Sequence, residues 1–344
     1  MTRRPTIRDV AKAAGTSVGS VSRVLNGGPY ASSELHNKVM RAVAKLGYEP
    51  DVVAQSMRLK STKTIACLLA DIANPLYAEI VNAAEERLQK EGYVFVLSTT
   101  RNDEERELAM ISMVRRRRMD GMIVMASDET RKDVNTALAE AAVPVVLIDR
   151  EVPAKYDAVY VDHRGGAIDA MRYLIGLGHK RVALLLPSEH VRPGRERAAG
   201  YRQALTEAGI AVDPELIRPQ KTSVHFSYAD IEKLLQGPHP PTAIIVLGTR
   251  MLAGVMKTVS TRNLRIPEDL SLISIGDTDL TRFASPPITV VRWDLAELGR
   301  AAADLLIEQL NGVKRERPQH ISLPTEFIIR GSCAPPKKPG AKRP

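Results

Sequence analysis

Thr6–Asn26, TIRDVAKAAGTSVGSVSRVLN, is the stretch that decides how the chain is read. Ile7, Val10, Ala11 and Ala14 recur at the spacing of one helix face. Thr6 is placed to cap that helix, with Asp9 three residues on where a capping acid belongs. Gly15 and Thr16 interrupt it. Ser17 can cap a second helix whose Val21, Val24 and Leu25 point inward. On the outer side of the second helix, Val18 and Ser22 lie one turn apart, as do Gly19 and Arg23. A shallow surface of small side chains with one long cation suits the DNA major groove. The pattern predicts a helix-turn-helix whose second helix reads bases. Two short amphipathic helices also fit a plain helical hairpin, and the surroundings decide between the two.

A third helix is predicted from Ser32 or Ser33 to Lys45, with Leu35, Val39, Ala42, Val43 and Leu46 as its buried stripe. Gly47 ends it, and Tyr48 can pack beneath the pair. After Pro50 comes DVVAQSMRLKSTKT. Asp51 can cap a helix of two turns with Val53, Ala54 and Met57 on one side and Gln55, Arg58 and Lys60 around it. So short a helix needs something to pack on. Ser61, Thr62 and Lys63 read as a linker. From Thr64 the pattern becomes apolar strand, then amphipathic helix, repeated. The strand runs are IACLLADI, YVFVLSTT, GMIVMAS, VPVVLIDR and DAVYVDH, with helices near 76–91, 104–118 and 130–142. A second set follows: RVALLLP, a helix near 195–209, a strand near Leu216, a helix near 228–236, TAIIVLG, a helix near 250–262, and LSLISIG. A helix at 294–311 and a strand near Glu326–Arg330 complete it. Continuous apolar strands alternating with helices predict parallel sheets covered on both faces. Two such doubly wound units should share a cleft at the carboxyl ends of their strands, where ligands bind.

Charge is concentrated at the ends. Residues 1–60 carry ten Lys/Arg against four Asp/Glu, and residues 330–344 carry five Lys/Arg and no acid, so the middle of this +9 chain is near neutral. A basic head on a near-neutral body is what a phosphate-binding module on an ordinary globular domain would give. The tail, CAPPKKPGAKRP, is expected to be disordered over 333–344. Cys67 and Cys333 form no disulfide framework or zinc pattern, and two unpaired thiols in a reducing cytoplasm are expected. The N-terminus has no apolar segment of the secretory kind, and no run approaches membrane-spanning length.

From about Thr6 to Arg330 the chain resembles the lactose-repressor/galactose-repressor family of bacterial transcription regulators. TIRDVAKAAGTSVGSVSRVLNG is very near that family's N-terminal signature. ANPLYAEI, LIGLGHKRVALL, RERAAGYRQAL, IPEDLSLISIGDTD and SPPITVVRWD are further matches. The resemblance implies a small all-α helix-turn-helix headpiece over 1–49, a hinge helix and linker over 50–63, and a periplasmic-binding-protein-like α/β body over 64–332. That body would have two subdomains joined by crossing strands, 64–162 plus about 294–320 and 163–293 plus about 321–332. Implied too are a homodimer on pseudo-palindromic operator DNA and a small-molecule effector in the cleft that changes how the headpieces are presented. A cytoplasmic protein with no cofactor and no membrane partner is expected.

Carried over by position, Val18 and Gly19 fall on the family's main base-reading pair and Arg23 on a third reader. Thr6, Ser17, Ser20, Ser22, Asn26 and Tyr30 fall on positions contacting backbone or nearby bases. Arg23 can make a bidentate contact to guanine, and a Val18 methyl can meet a thymine methyl. In the hinge, Ala54, Met57 and Arg58 fall on DNA-contacting positions. Met57 stands where the family usually has a leucine wedge for the minor groove. For the effector, Leu76 and Tyr77 match the start of the first cleft helix, and Ser127, Arg150, Asp162 and Arg197 match strand-end or loop positions. Where many sugar-responsive members carry Asn-Asp, this chain has Gly248 and Thr249, then Arg250; a family aspartate aligns with Gly276, leaving Asp277 beside it. The effector class expected is a sugar or a sugar acid, and fewer acids with an added Arg250 tilt toward a ligand with a carboxylate, such as a sugar acid, which a guanidinium can meet.

The remaining features have plainer readings. Arg115–Arg118 suits a solvated helix end. His163, His179, His190 and His225 show no metal-ligand spacing and are expected to be structural. No nucleophile elbow and no Gly-rich phosphate loop is present, so no catalytic residue is assigned. The rival readings are a solute-binding protein feeding a transporter, an activator with the same body, and an α/β enzyme.

Overall fold

The computed structural model describes residues 5–25, 32–49, 56, 61–151, 156–219, 228–248 and 250–337. The chain divides into two compact units, Met1–Thr62 and Lys63–Pro344.

In the first unit, α1 (Ile7–Ala14), α2 (Val18–Leu25) and α3 (Ser33–Leu46) surround one small core. The Thr6 backbone N–H and hydroxyl both donate to the Asp9 carboxylate, at 2.8 and 2.7 Å. The Ser17 hydroxyl accepts from the Ser20 N–H, and the Ser32 hydroxyl from the Leu35 N–H. Gly15 and Gly47 end α1 and α3 in the left-handed region, at φ 62° and 59°, where a side chain would be strained. Val10, Ala11, Val21, Val24, Val39 and Ala42 are buried, with Ile7, Ala14, Leu25, Leu35, Val43, Leu46 and Tyr48 packed around them. Every apolar residue assigned inward from its spacing in these three helices belongs to this cluster. Of the expected hinge helix, positions 50–55 and 57–60 lie outside the described residues.

The second unit holds two six-stranded sheets. The first is formed by β1 (Thr64–Leu69), β2 (Val94–Thr99), β3 (Gly121–Val124), β4 (Val145–Ile148), β5 (Asp157–Val161) and β11 (His320–Leu323), in the order β11-β5-β4-β3-β1-β2, every pair parallel. Helices α4 (Pro75–Gln89) and α12 (Leu295–Leu310) cover one face; α5 (Glu104–Arg116) and α6 (Lys132–Glu140) cover the other. The second sheet has β6 (Val182–Leu186), β7 (Ile217–Pro219), β8 (Ala243–Leu247), β9 (Ser271–Ile275), β10 (Thr289–Arg292) and β12 (Glu326–Ile328), in the order β12-β10-β9-β8-β6-β7. Its faces are covered by α7 (His163–Gly176) with α8 (Arg192–Glu207), and by α9 (Tyr228–Gln236) with α10 (Arg250–Thr261). A short helix, α11 (Asp279–Phe283), follows β9.

The chain crosses between the two sheets three times: from β5 into α7, from β10 into α12, and from β11 into β12. The last crossing falls after Leu323, later than the expected boundary near 320, because β11 pairs with β5 from His320 to Leu323. The sheets are not wholly parallel, since β12 returns antiparallel to β10. Helices α7 and α11 and strands β10 and β11 are additions to the elements expected from sequence. The basic tail is also docked further than expected. Residues 333–337 are described, the Ala334 N–H donates to Ser271 Oγ at 3.0 Å, the Ala334 carbonyl accepts from the same hydroxyl, and Lys337 pairs with Asp269. Two backbone groups given partners on β9 offset the low apolar content of the segment. No helix among the described residues is long and apolar enough to cross a membrane.

Candidate functional site: a reading helix and an interdomain cleft

Helix α2 divides cleanly by face. Val21 and Val24 are buried, while Ser17, Val18, Gly19 and Arg23 are exposed and Ser20 and Ser22 half-buried. Val18 exposes 41% of its surface, large for an apolar side chain in so small a core. Packing therefore does not hold it there, and contact with a partner would cover it. Nine positions assigned to DNA were Thr6, the α2 set, Asn26 and Tyr30; Thr6 serves as the cap of α1, and Asn26 and Tyr30 lie outside the described residues, as do Ala54, Met57 and Arg58.

The body carries a cavity of about 230 Å³ between its two sheets, at the carboxyl ends of the strands. Asn74, Leu76 and Tyr77 follow β1; Asn102, Glu104 and Glu107 follow β2; Met125, Ser127, Asp128 and Arg131 follow β3; Asp149 and Arg150 follow β4. From the second subdomain come Ser188, His190, Val191 and Arg197, and Trp293 enters from the second crossing. Leu76, Tyr77, Ser127, Arg150 and Arg197 of the expected effector positions thus share one cavity.

The other effector positions lie elsewhere. Asp162 is exposed and caps α7, its carboxylate accepting the Gly165 N–H at 2.9 Å. Asp277 accepts both guanidinium nitrogens of Arg330, at 3.0 and 2.8 Å, and the Thr281 hydroxyl at 2.6 Å. Burial opposes its ionisation, but Arg330 and Thr281 hold it below the usual carboxylate range. Arg250 reaches from α10 to Asp71 of the other subdomain at 2.6 Å, which already balances the cation that pointed to an anionic ligand. Thr249 lies outside the described residues.

Beneath the cavity runs a buried relay. His163 Nε2 lies 3.0 Å from Asp149 Oδ2, and His163 Nδ1 lies 3.2 Å from Arg197 Nη2. A guanidinium only donates and an ionised carboxylate only accepts, so His163 is neutral with its proton on Nε2. Burial, and then the Arg197 charge, push its pKa down to about 4. Burial works against the Asp149 charge too, yet His163 and neighbouring donors hold that carboxyl below its ordinary value. Trp293 stacks edge-on to His163, centroids 5.3 Å apart. Arg150 donates to the carbonyls of Ala126 and Asp149, and Arg192 to the Val161 carbonyl at 3.0 Å. The relay joins a residue from each subdomain to His163 at the first crossing. On the far wall, Glu107 is 1% exposed and accepts the Ser127 N–H at 3.0 Å. Glu107, Asp149, His163 and Trp293 were not among the assigned site residues.

The family profile described as bacterial regulatory proteins, lacI family, matches residues 6–51, and one described as a periplasmic binding protein-like domain matches residues 171–333. The HTH-type transcriptional regulator DegA of Bacillus subtilis is 32% identical over 336 residues, 96% of this chain and 99% of that protein. The HTH-type transcriptional repressor PurR of Pasteurella multocida is 31% identical, covering 95% of this chain and 98% of its own length. A crystal structure of the lac repressor dimer bound to operator and the anti-inducer ONPF superposes with a TM-score of 0.84 at 27% identity, covering 96% of this chain and all of that one. With a three-helix unit followed by two strand-crossed subdomains, and relatives of the same build matched over nearly their whole length, the chain belongs to the lacI family of bacterial regulatory proteins, DNA-binding regulators of transcription and not enzymes.

Proposed function

We propose that this regulator represses transcription as a homodimer on a pseudo-palindromic operator, and that a small molecule in the interdomain cleft sets its affinity for DNA. The observation that carries the DNA half of this reading is the face of α2 that bears Val18, Gly19 and Arg23 outward over a fully formed core. One three-helix unit covers a half-site, and two-fold pairing of protomers supplies the second. Two apolar side chains support pairing through the body: Phe283 exposes 83% of its surface and Val94, on the edge strand β2, 61%. The cleft supports an effector because buried polar side chains converge there from both subdomains, the arrangement in which a ligand favours one degree of closure over another.

The test is selection of a binding sequence from random duplexes by the full chain. The expected product is an inverted repeat bound with an affinity that falls steeply with salt. A selected pool without two-fold symmetry, or binding indifferent to salt, counts against the reading.

A further inference from the structure

Three buried hydrogen-bonding atoms at the cavity have no protein partner among the described residues: Arg197 Nε, Trp293 Nε1 and Glu107 Oε2. Two are donors and one is an acceptor. They come from different parts of the body, Arg197 from α8 of the second subdomain, Glu107 from α5 of the first, and Trp293 from the crossing between them. A buried polar atom left unmet costs about 1–3 kcal/mol, so such atoms mark where a ligand's own polar atoms belong. Charge differs between the two ends. Around the relay, Arg192 and Arg197 lie beside Asp149, and Arg150, whose hydrogen-bond donors go to neutral carbonyls, also acts on the carboxylates of Glu107 and Glu129. On the far wall, Glu104, Glu107 and Asp128 stand with Arg131.

We propose that the effector is a small polyhydroxylated carboxylate held from both subdomains, its acid group at Arg197 and Trp293 and a hydroxyl donating to Glu107 Oε2. This rests on reading the cleft as the effector site, and it makes Glu107 a specificity-determining residue. The cavity, at about 230 Å³, is below the size that takes drug-like ligands and matches a single sugar ring. Burial raises the Glu107 carboxyl above its ordinary range against the pull of the Ser127 N–H, Arg150 and Arg131, and a carboxyl so placed favours a hydroxyl over a second anion. A ligand meeting both ends ties α5 to α8 and so distinguishes closed from open cleft, whereas one meeting a single end distinguishes them less.

Isothermal titration of the full chain with glucuronate, galacturonate and gluconate, and with glucose and galactose, tests the proposal. At least one acid is expected to bind tenfold or more tightly than either neutral sugar. Glu107→Gln keeps the carbonyl that accepts the Ser127 N–H but replaces the free acceptor with a donor. It is expected to weaken that acid at least tenfold in a protein that still unfolds cooperatively on heating. Arg197→Lys is expected to abolish the preference for acids. Neutral sugars binding as tightly as the acids, no acid binding at millimolar concentration, or an unchanged affinity in Glu107→Gln would each overturn the proposal. DNA binding measured on the same samples separates this failure from failure of the regulator reading.

Discussion

Lowering the pH should weaken the body, and His163 carries a share of that loss that a single substitution isolates. Its pKa is about 4 in the folded protein, against 6.5 for an ordinary histidine, with burial as the main cause and Arg197 as the second. Between those values the unfolded chain binds a proton that the folded chain refuses. The stabilisation is therefore complete above about pH 6.5 and declines as the pH falls toward 4. The full displacement corresponds to about 3 kcal/mol, of which about 2 kcal/mol is lost by pH 5. Trp293 is the chain's single tryptophan and stacks on His163, so its fluorescence reports unfolding of this region. Urea unfolding of wild type and His163→Gln at pH 7.5 and 5.0 gives the comparison. Wild type should lose about 2 kcal/mol more than the variant over that interval. His179, whose pKa is also lowered by burial, titrates in both proteins and cancels. Equal losses in the two proteins would refute the assignment of a neutral, doubly partnered imidazole.

Three further outcomes follow from the structure. Arg23→Ala should cost about 1–3 kcal/mol on the selected operator and relax one base position, read by repeating the selection with the variant. Gly299→Ala should lower stability by about 1–3 kcal/mol in thermal unfolding, because a Cβ there would lie 2.2 Å from the Ile80 carbonyl oxygen and force α12 away from α4. Phe283→Glu should shift the protein from dimer to monomer in sedimentation velocity, and a variant that stays dimeric would remove α11 from the pairing surface.

The first unit was legible almost residue by residue because its helices obey local rules. Thr6, Asp9, Ser17 and Ser32 cap where their chemistry says they should, and each apolar stripe meets the others in one core. The body was legible at its central strands, which are unbroken apolar runs. Helix α7 is hard to read from sequence because HRGGAIDAMRYLIG carries two glycines in its first turn, which disfavour a helix. Packing explains both: a Cβ on Gly165 would lie 2.3 Å from the capping Asp162 carboxylate, and one on Gly166 2.6 Å from Val291 Cγ1 and 3.0 Å from Thr325 Oγ1, beside the two other crossings. Strand β11 escaped because HISL is short, partly exposed and at a sheet edge. The cleft was legible only where a motif pointed to it. Glu107, Asp149 and Trp293 come from three separate loops or helices, and only the strand order and crossings of the two sheets bring them to one cavity.

The threefold passage of the backbone between the sheets means that neither half of the body is a contiguous stretch of gene. Ending translation after β5 would leave the first sheet without its β11 edge and without α12, whose Leu298, Ala302, Leu305 and Leu306 are part of its core. Exchanging ligand preference with a relative by recombination therefore requires grafting at least two separated segments at once, or else altering individual cavity-wall positions such as Glu107 one codon at a time.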